Sequence, residues 1–62
     1  MTGEEFKAAR LQLGLTQAQM AEVVGLGADT RVSEIEHGRG GVTRTMEILV
    51  ELLVELHLAY AD

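Results

Sequence analysis

Glycine alone punctuates this chain: it has seven glycines and no proline. Three of them, Gly14, Gly25 and Gly38, fall where a helical spacing of apolar residues breaks off, and glycine is the residue that closes a helix in a left-handed cap. Between these stops the β-branched runs are short, so the segments read as helices. Thr2-Gly3-Glu4-Glu5 has the spacing of a capping box, and Phe6, Ala9, Arg10 and Leu13 follow at helical intervals, which predicts a first helix over about residues 3–13. Thr16-Gln17-Ala18-Gln19 repeats the capping pattern. Met20, Ala21, Val23 and Val24 give the buried face of a second helix over about 17–24. A third helix starts at Ala28 or Asp29, turns Val32 and Ile35 inward and stops at Gly38. His37-Gly38-Arg39-Gly40-Gly41 reads as a loop, and Thr43 caps a last helix from Arg44 to about Ala59 or Tyr60. The expectation is an all-α chain of four helices, five at most, in one domain over residues 1–62.

At 62 residues such a domain has a small core. Without cysteine it has neither disulfides nor thiolate metal sites, and His37 and His57 stand apart with no ligand cluster around them. No cofactor and no metal is expected. Self-association is the staple that remains. No stretch approaches the roughly 18 apolar residues of a membrane span, and no signal peptide is evident. Met1 and the short tail point to a whole small protein, and a bacterial cytosolic setting fits.

The net charge is −5, which ordinarily argues against a nucleic-acid partner. The distribution of that charge points the other way. Residues 1–44 hold all five cations (Lys7, Arg10, Arg31, Arg39, Arg44) against six acids, whereas residues 45–62 hold four acids and no cation. The acidity is concentrated at one end, as suits a domain with one face on an anion and the other turned away.

Ala21 and Gly25 lie four residues apart at the bend between the second and third helices. A small residue at the first position lets the helices cross closely, and glycine at the second supplies the positive φ of a tight turn. With Leu15-Thr16-Gln17 before this pair and Val32-Ser33-Glu34-Ile35-Glu36-His37-Gly38 after it, the sequence resembles the Cro/C1-type repressor family (the XRE family), above all the lambdoid phage repressors. The similarity runs over about residues 4–53, from Arg10-Leu-Gln-Leu-Gly-Leu-Thr-Gln17 through Ala18-Gln-Met-Ala21 to Ile35-Glu36-His37-Gly38. It implies a compact lambda-repressor-like fold whose helix-turn-helix spans about residues 17–37.

The resemblance also implies roles. Gln17, with Thr16 beside it, contacts the DNA backbone at a helix N-terminus. Arg10 and Glu36 form a structural ion pair. Asp29, Thr30, Arg31 and Glu34, with Ser33 beside them, face the major groove, and Arg39 and Arg44 meet the backbone. One departure is notable: from Gly25 to Ile35-Glu36 this chain carries one residue more than the family pattern, and Gly27 is the extra one, absorbed by a wider turn.

Arg31 is the best candidate for a base contact, because a guanidinium pairs bidentately with guanine O6 and N7; the plain alternative is an exposed helix arginine. Glu34 either accepts from cytosine N4 or balances Arg31 three positions earlier. Asp29 either joins that set or caps the helix. For the last helix, Glu47, Glu51 and Glu55 form one stripe, with Met46, Leu49, Val50 and Leu53 opposite. Ile48, Leu52, Leu56 and Ala59 extend the apolar surface beyond what a small core needs, which predicts a homodimer interface. A two-fold dimer sets two reading helices about 34 Å apart, the repeat of a palindromic operator.

These readings point to a sequence-specific double-stranded DNA-binding regulator, a homodimeric repressor of a small phage or mobile-element operon such as an anti-CRISPR-associated one. No enzymatic constellation, membrane association or small-molecule ligand is expected. The alternative is a helix-turn-helix protein acting through protein contacts, antirepressor or antitoxin-like, with its acidic surface against a basic partner.

Overall fold

The computed structural model describes residues 1–60, which form four helices: α1 (Gly3–Gln12), α2 (Gln17–Val24), α3 (Asp29–Glu36) and α4 (Arg44–Tyr60). Both predicted capping boxes are closed. Thr2 Oγ1 accepts from Glu5 N–H at 3.1 Å while Glu5 Oε1 accepts from Thr2 N–H at 2.8 Å. Thr16 and Gln19 repeat the exchange at 3.1 and 2.9 Å. The hydroxyl of Thr43 accepts from Met46 N–H at 3.1 Å and starts α4. Each bond satisfies an N–H that the first helical turn would otherwise leave unpaired.

The helix ends share one device as well. At Gly25 the backbone turns left-handed, with φ +74°, and the next N–H, of Leu26, donates back to Ala21 O at 2.8 Å. Gly38, with φ +79°, lets Arg39 N–H reach Glu34 O at 2.7 Å in the same way. These are the six-to-one bonds of a Schellman end, and α1 closes alike through Leu15 N–H and Arg10 O at 3.2 Å. The residue after each stop is thereby aimed: Leu15 and Leu26 fold back against the core, and Arg39 is tied to the end of α3.

Each helix contributes one of the largest fully buried side chains: Phe6 from α1, Met20 from α2, Val32 from α3 and Val50 from α4. Ala9, Ala21, Ile35 and Met46 complete the core around them. α2 and α3 make the most extensive pairing, and α1 and α4 pack across them. Val23 departs from the periodicity. Val23 is 38% exposed and not part of the buried face of α2. In an eight-residue helix Met20 and Ala21 already fill the line facing the core, with Val24 one turn on at its edge, and Val23 falls outside it.

A packing constraint at Gly3 has no counterpart in the periodicity. A β-carbon there would lie 2.1 Å from the backbone oxygen of Ile35, so the start of α1 sits directly against the end of α3. The obstructing atom is main chain, which cannot rotate away. Gly3→Ala is therefore expected to cost about 2 kcal/mol or more, lowering the melting temperature by roughly 4–8 °C per kcal/mol in a domain of this size. Gly41→Ala, where a β-carbon meets nothing within 4 Å, should change stability by less than about 0.5 kcal/mol. Thermal melts of the two variants side by side check the contrast; equal melting temperatures would refute the close approach.

Candidate nucleic-acid interface

The outward face of α3 is decided by what its inner face buries. Val32 and Ile35 anchor the helix in the core, and Thr30, Arg31 and Glu34 stand exposed, Thr30 and Glu34 away from the anchor and Arg31 at its edge, one turn before Ile35. Asp29 is exposed at the helix start. Ser33 lies on the flank, half-buried, with its hydroxyl 3.4 Å from His37 Nδ1, one turn along the same helix. The capping alternative for Asp29 is not what the backbone adopts. The cap position belongs to Ala28, with φ −149° and ψ 143° and no side-chain cap bond, so the Asp29 carboxylate comes one residue too late to cap. Its charge instead lies in the first turn, where it complements the helix dipole.

Gly27, with φ +80°, lies in the turn between α2 and α3, outside both helices. The helical phase of α3 therefore runs uninterrupted from Asp29 to Glu36. Leu26 packs on the core beside this turn and holds its inner edge.

The end of α3 is fixed by a buried polar cluster. Arg10 is only 9% exposed. Its Nε donates to Glu36 Oε2 at 2.6 Å, its Nη2 to Glu36 Oε1 at 3.1 Å and its Nη1 to Leu15 O at 2.9 Å. Gln17 Nε2 adds a fourth bond, to Glu36 Oε1 at 3.2 Å. Burial pushes the Glu36 carboxyl up, but the hydrogen bonds from Arg10 and Gln17 and the charges of Arg10 and Lys7 outweigh it and hold the carboxyl below its ordinary range. Two charges in a small core are compensated only because their remaining polar atoms are also bonded. Among the described residues no buried side-chain nitrogen or oxygen lacks a partner.

This cluster also orients the start of α2. Gln17 is half-buried, and its bond to Glu36 uses one amide proton and leaves the other to donate. As first residue of the helix its backbone N–H has no intrahelical acceptor, and with the Ala18 N–H it forms the positive end of the helix dipole. The Thr16 oxygen accepts from Gln19 N–H, which leaves its own hydroxyl proton free to donate. These groups together make a donor set for a phosphate oxygen.

The arginines divide into two kinds. Arg31 and Arg39 line, with Glu34 between them in the chain, a cleft of about 280 Å³ between α3 and the loop that follows it. Neither takes part in an ion pair among the described residues. Arg44, also exposed, is paired with Glu47 one turn on in α4. Such an exposed pair is worth little, so a phosphate could compete for Arg44 at low cost. Glu51 and Glu55 do not line this cleft.

Two contributors lie outside the residues that the sequence singled out for the site. Gly3 brings α1 against the end of α3, and nothing in the local pattern signals it. Lys7 acts on Glu36 through its charge. It lies three residues before Arg10, one helical turn away on the same side, and that interval was the available signal.

A short α2 and α3 joined by a glycine turn, with the second helix anchored along one side and exposed along the other, constitute a helix-turn-helix, the arrangement that sets its second helix into the major groove of DNA. The model of the helix-turn-helix domain family matches residues 3–58, and the chain belongs to that family. No curated protein and no solved structure matched it.

The Glu36 cluster has a defined pH signature. Because the folded carboxyl lies below its ordinary value of 4.5, its contribution to stability is complete above that value. The contribution is lost as pH falls below 4.5 and through the folded-state value. Glu36→Gln should cost about 3 kcal/mol near neutrality. Its stability deficit relative to the parent should shrink as the parent is acidified. Urea unfolding at a series of pH values tests this, and a deficit that stays constant into acid would contradict the assignment.

Proposed function

We propose that this chain is a sequence-specific regulator of transcription of the Cro/C1-type (XRE) kind, a single-domain homodimeric repressor that reads an inverted-repeat operator with α3. The observation that carries the reading is the split character of α3. Val32 and Ile35 hold it to the core and Glu36 locks its end, while Thr30, Arg31 and Glu34 are exposed together. Arg31 reads a base edge, with Thr30, Glu34, Asp29 and Ser33 around it. Gln17, Thr16, Arg39 and Arg44 hold the phosphate backbone.

Three features support the assignment to DNA despite the net charge of −5. Arg31 and Arg39 share one cleft. The start of α2 presents unpaired donors beside Gln17. Glu51 and Glu55 line a different groove from the one holding these arginines. No helix is long and apolar enough among the described residues to cross a membrane. A bacterial cytoplasmic regulator of a small phage or mobile-element operon is the setting that suits this build.

Dimerisation rests on α4. Ile48, Leu52 and Leu56 are 43%, 53% and 54% exposed and recur at intervals of four, so they form one apolar strip, with Ala59 continuing it. A strip of this kind on so small a domain is an association surface. Two copies joined along it carry two α3 helices, and the pair reads two half-sites about one helical turn of DNA apart.

Mobility-shift titration against the DNA upstream of the protein's own coding sequence, at several salt concentrations, tests the reading. A specific shift that weakens steeply with salt is expected; a shift absent or indifferent to salt would remove the repressor assignment. Within that assay Arg31→Ala should relax sequence preference, with about 1–3 kcal/mol of discrimination lost at one base pair. Gln17→Ala should weaken all sites alike. For the strip, Leu52→Lys with Leu56→Lys should yield a folded monomer by sedimentation, and an unchanged mass would place the interface elsewhere.

A further inference from the structure

A second concave surface lies away from the arginine cleft. Between α1 and α4 runs an open groove of about 400 Å³. Its floor is formed by Ala8 and Ala9 from one helix and Val50 and Val54 from the other. The two alanines keep the α1 wall low; Ala8 and half-buried Val54 supply the apolar surface open to solvent, with Ala9 and Val50 buried beneath them. Glu5, Glu51 and Glu55 stand along its sides; the one cation of its lining among the described residues is the terminal ammonium of Met1, which is paired with Glu47, so the carboxylates outnumber it.

The carboxylates differ in what they already hold. Glu5 uses one oxygen to accept from Thr2 N–H in the capping box and keeps its charge. Glu47, on the same helix as the other two, is paired with Arg44 and the terminal ammonium of Met1. Glu51 and Glu55 take part in no ion pair among the described residues. They are one helical turn apart, a rise of about 6 Å, which fixes the spacing of the cations that would meet them.

We propose that this groove docks a basic amphipathic helix of a partner protein, with its aliphatic side chains on the alanine–valine floor and its lysines or arginines on Glu51 and Glu55. Charge complementarity selects this occupant. A second copy approaching through a two-fold axis would bring Glu51 and Glu55 against the same acids of its mate, which is repulsive. The groove is open along its length, as a segment laid into it requires, whereas a small molecule would be enclosed on more sides. The cations proposed for DNA reading are not in it, so partner and DNA can be held together, and the docking surface stands independently of the operator assignment.

The test uses the full chain and two fluorescein-labelled model helices, each with leucines at intervals of four, flanked in one by lysine and in the other by glutamate. Fluorescence anisotropy should show binding of the lysine helix alone, weakening with salt. Glu51→Lys with Glu55→Lys should reduce that affinity by at least about tenfold. Glu4→Lys with Glu22→Lys changes net charge equally but lies outside the groove, and should reduce it by less than about threefold. Ala8→Leu, at an exposed α1 position on the groove floor, should also weaken binding without lowering the melting temperature. Equal losses from the two charge-reversed pairs, equal binding of the glutamate helix, or no binding of the lysine helix would overturn the proposal. So would a change in sedimentation mass on reversing Glu51 and Glu55, since the groove would then hold a second copy. Mobility shifts with the groove variants should retain operator preference whichever way the peptide experiment falls.

Discussion

The guanidinium of Arg10 is the point on which the arrangement of the first three helices depends. From a nearly buried position on α1 it binds Glu36 at the end of α3 and the Leu15 carbonyl in the turn before α2. Glu36 in turn receives Gln17 from the first turn of α2. Three helices and one turn thus meet in a single polar cluster. Burying a charge is costly, and a buried pair offers limited net stability over an apolar substitute. What the pair provides is geometry: a bidentate contact tolerates little rotation or sliding. The end of α3 and the start of α2 are held to one another, and these are the elements that carry Arg31 and Gln17.

Gly3 works with this pair from the other side. With no β-carbon, the start of α1 can rest against the Ile35 carbonyl, one residue before Glu36. That approach brings α1 close enough for Arg10, two turns further on, to reach the carboxylate. The Schellman end at Gly38 then passes the constraint onward, since Arg39 N–H is bonded to Glu34 O. The loop cation is referenced to the same helix as Arg31. Positional order at the candidate interface comes from the helix ends and the buried cluster, and the exposed side chains inherit it.

α4 is built to a different plan. Met46 and Val50 reach the core, yet much of its remaining apolar surface is exposed, and its acids flank both the exposed strip and the groove against α1. A helix with more apolar surface than its own domain can cover is an element with further surfaces to meet. With no lysine or arginine after Arg44 and Glu47, Glu51 and Glu55 on α4, residues 1–44 keep five cations against six acids, and the protein can be acidic as a whole while its arginine cleft is not dominated by carboxylates.

Much of this was legible in the chain. The capping boxes at Thr2 and Thr16, the Thr43 cap and the glycine stops are local: each depends on atoms within about five residues of one another. The four helices, the inward faces of α1 and α3 and the exposed strip on α4 therefore followed from spacing. The Arg10–Glu36 pairing was implied only by resemblance, because twenty-six residues separate the partners and no local rule connects them. Tertiary structure alone decided the rest. It put Val23 outside the core, assigned the α3 cap to Ala28, set the Gly3 contact and opened the groove between α1 and α4. Each of these depends on the distance and angle between helices remote in sequence, and hydrogen bonds that close within one turn carry no information about either.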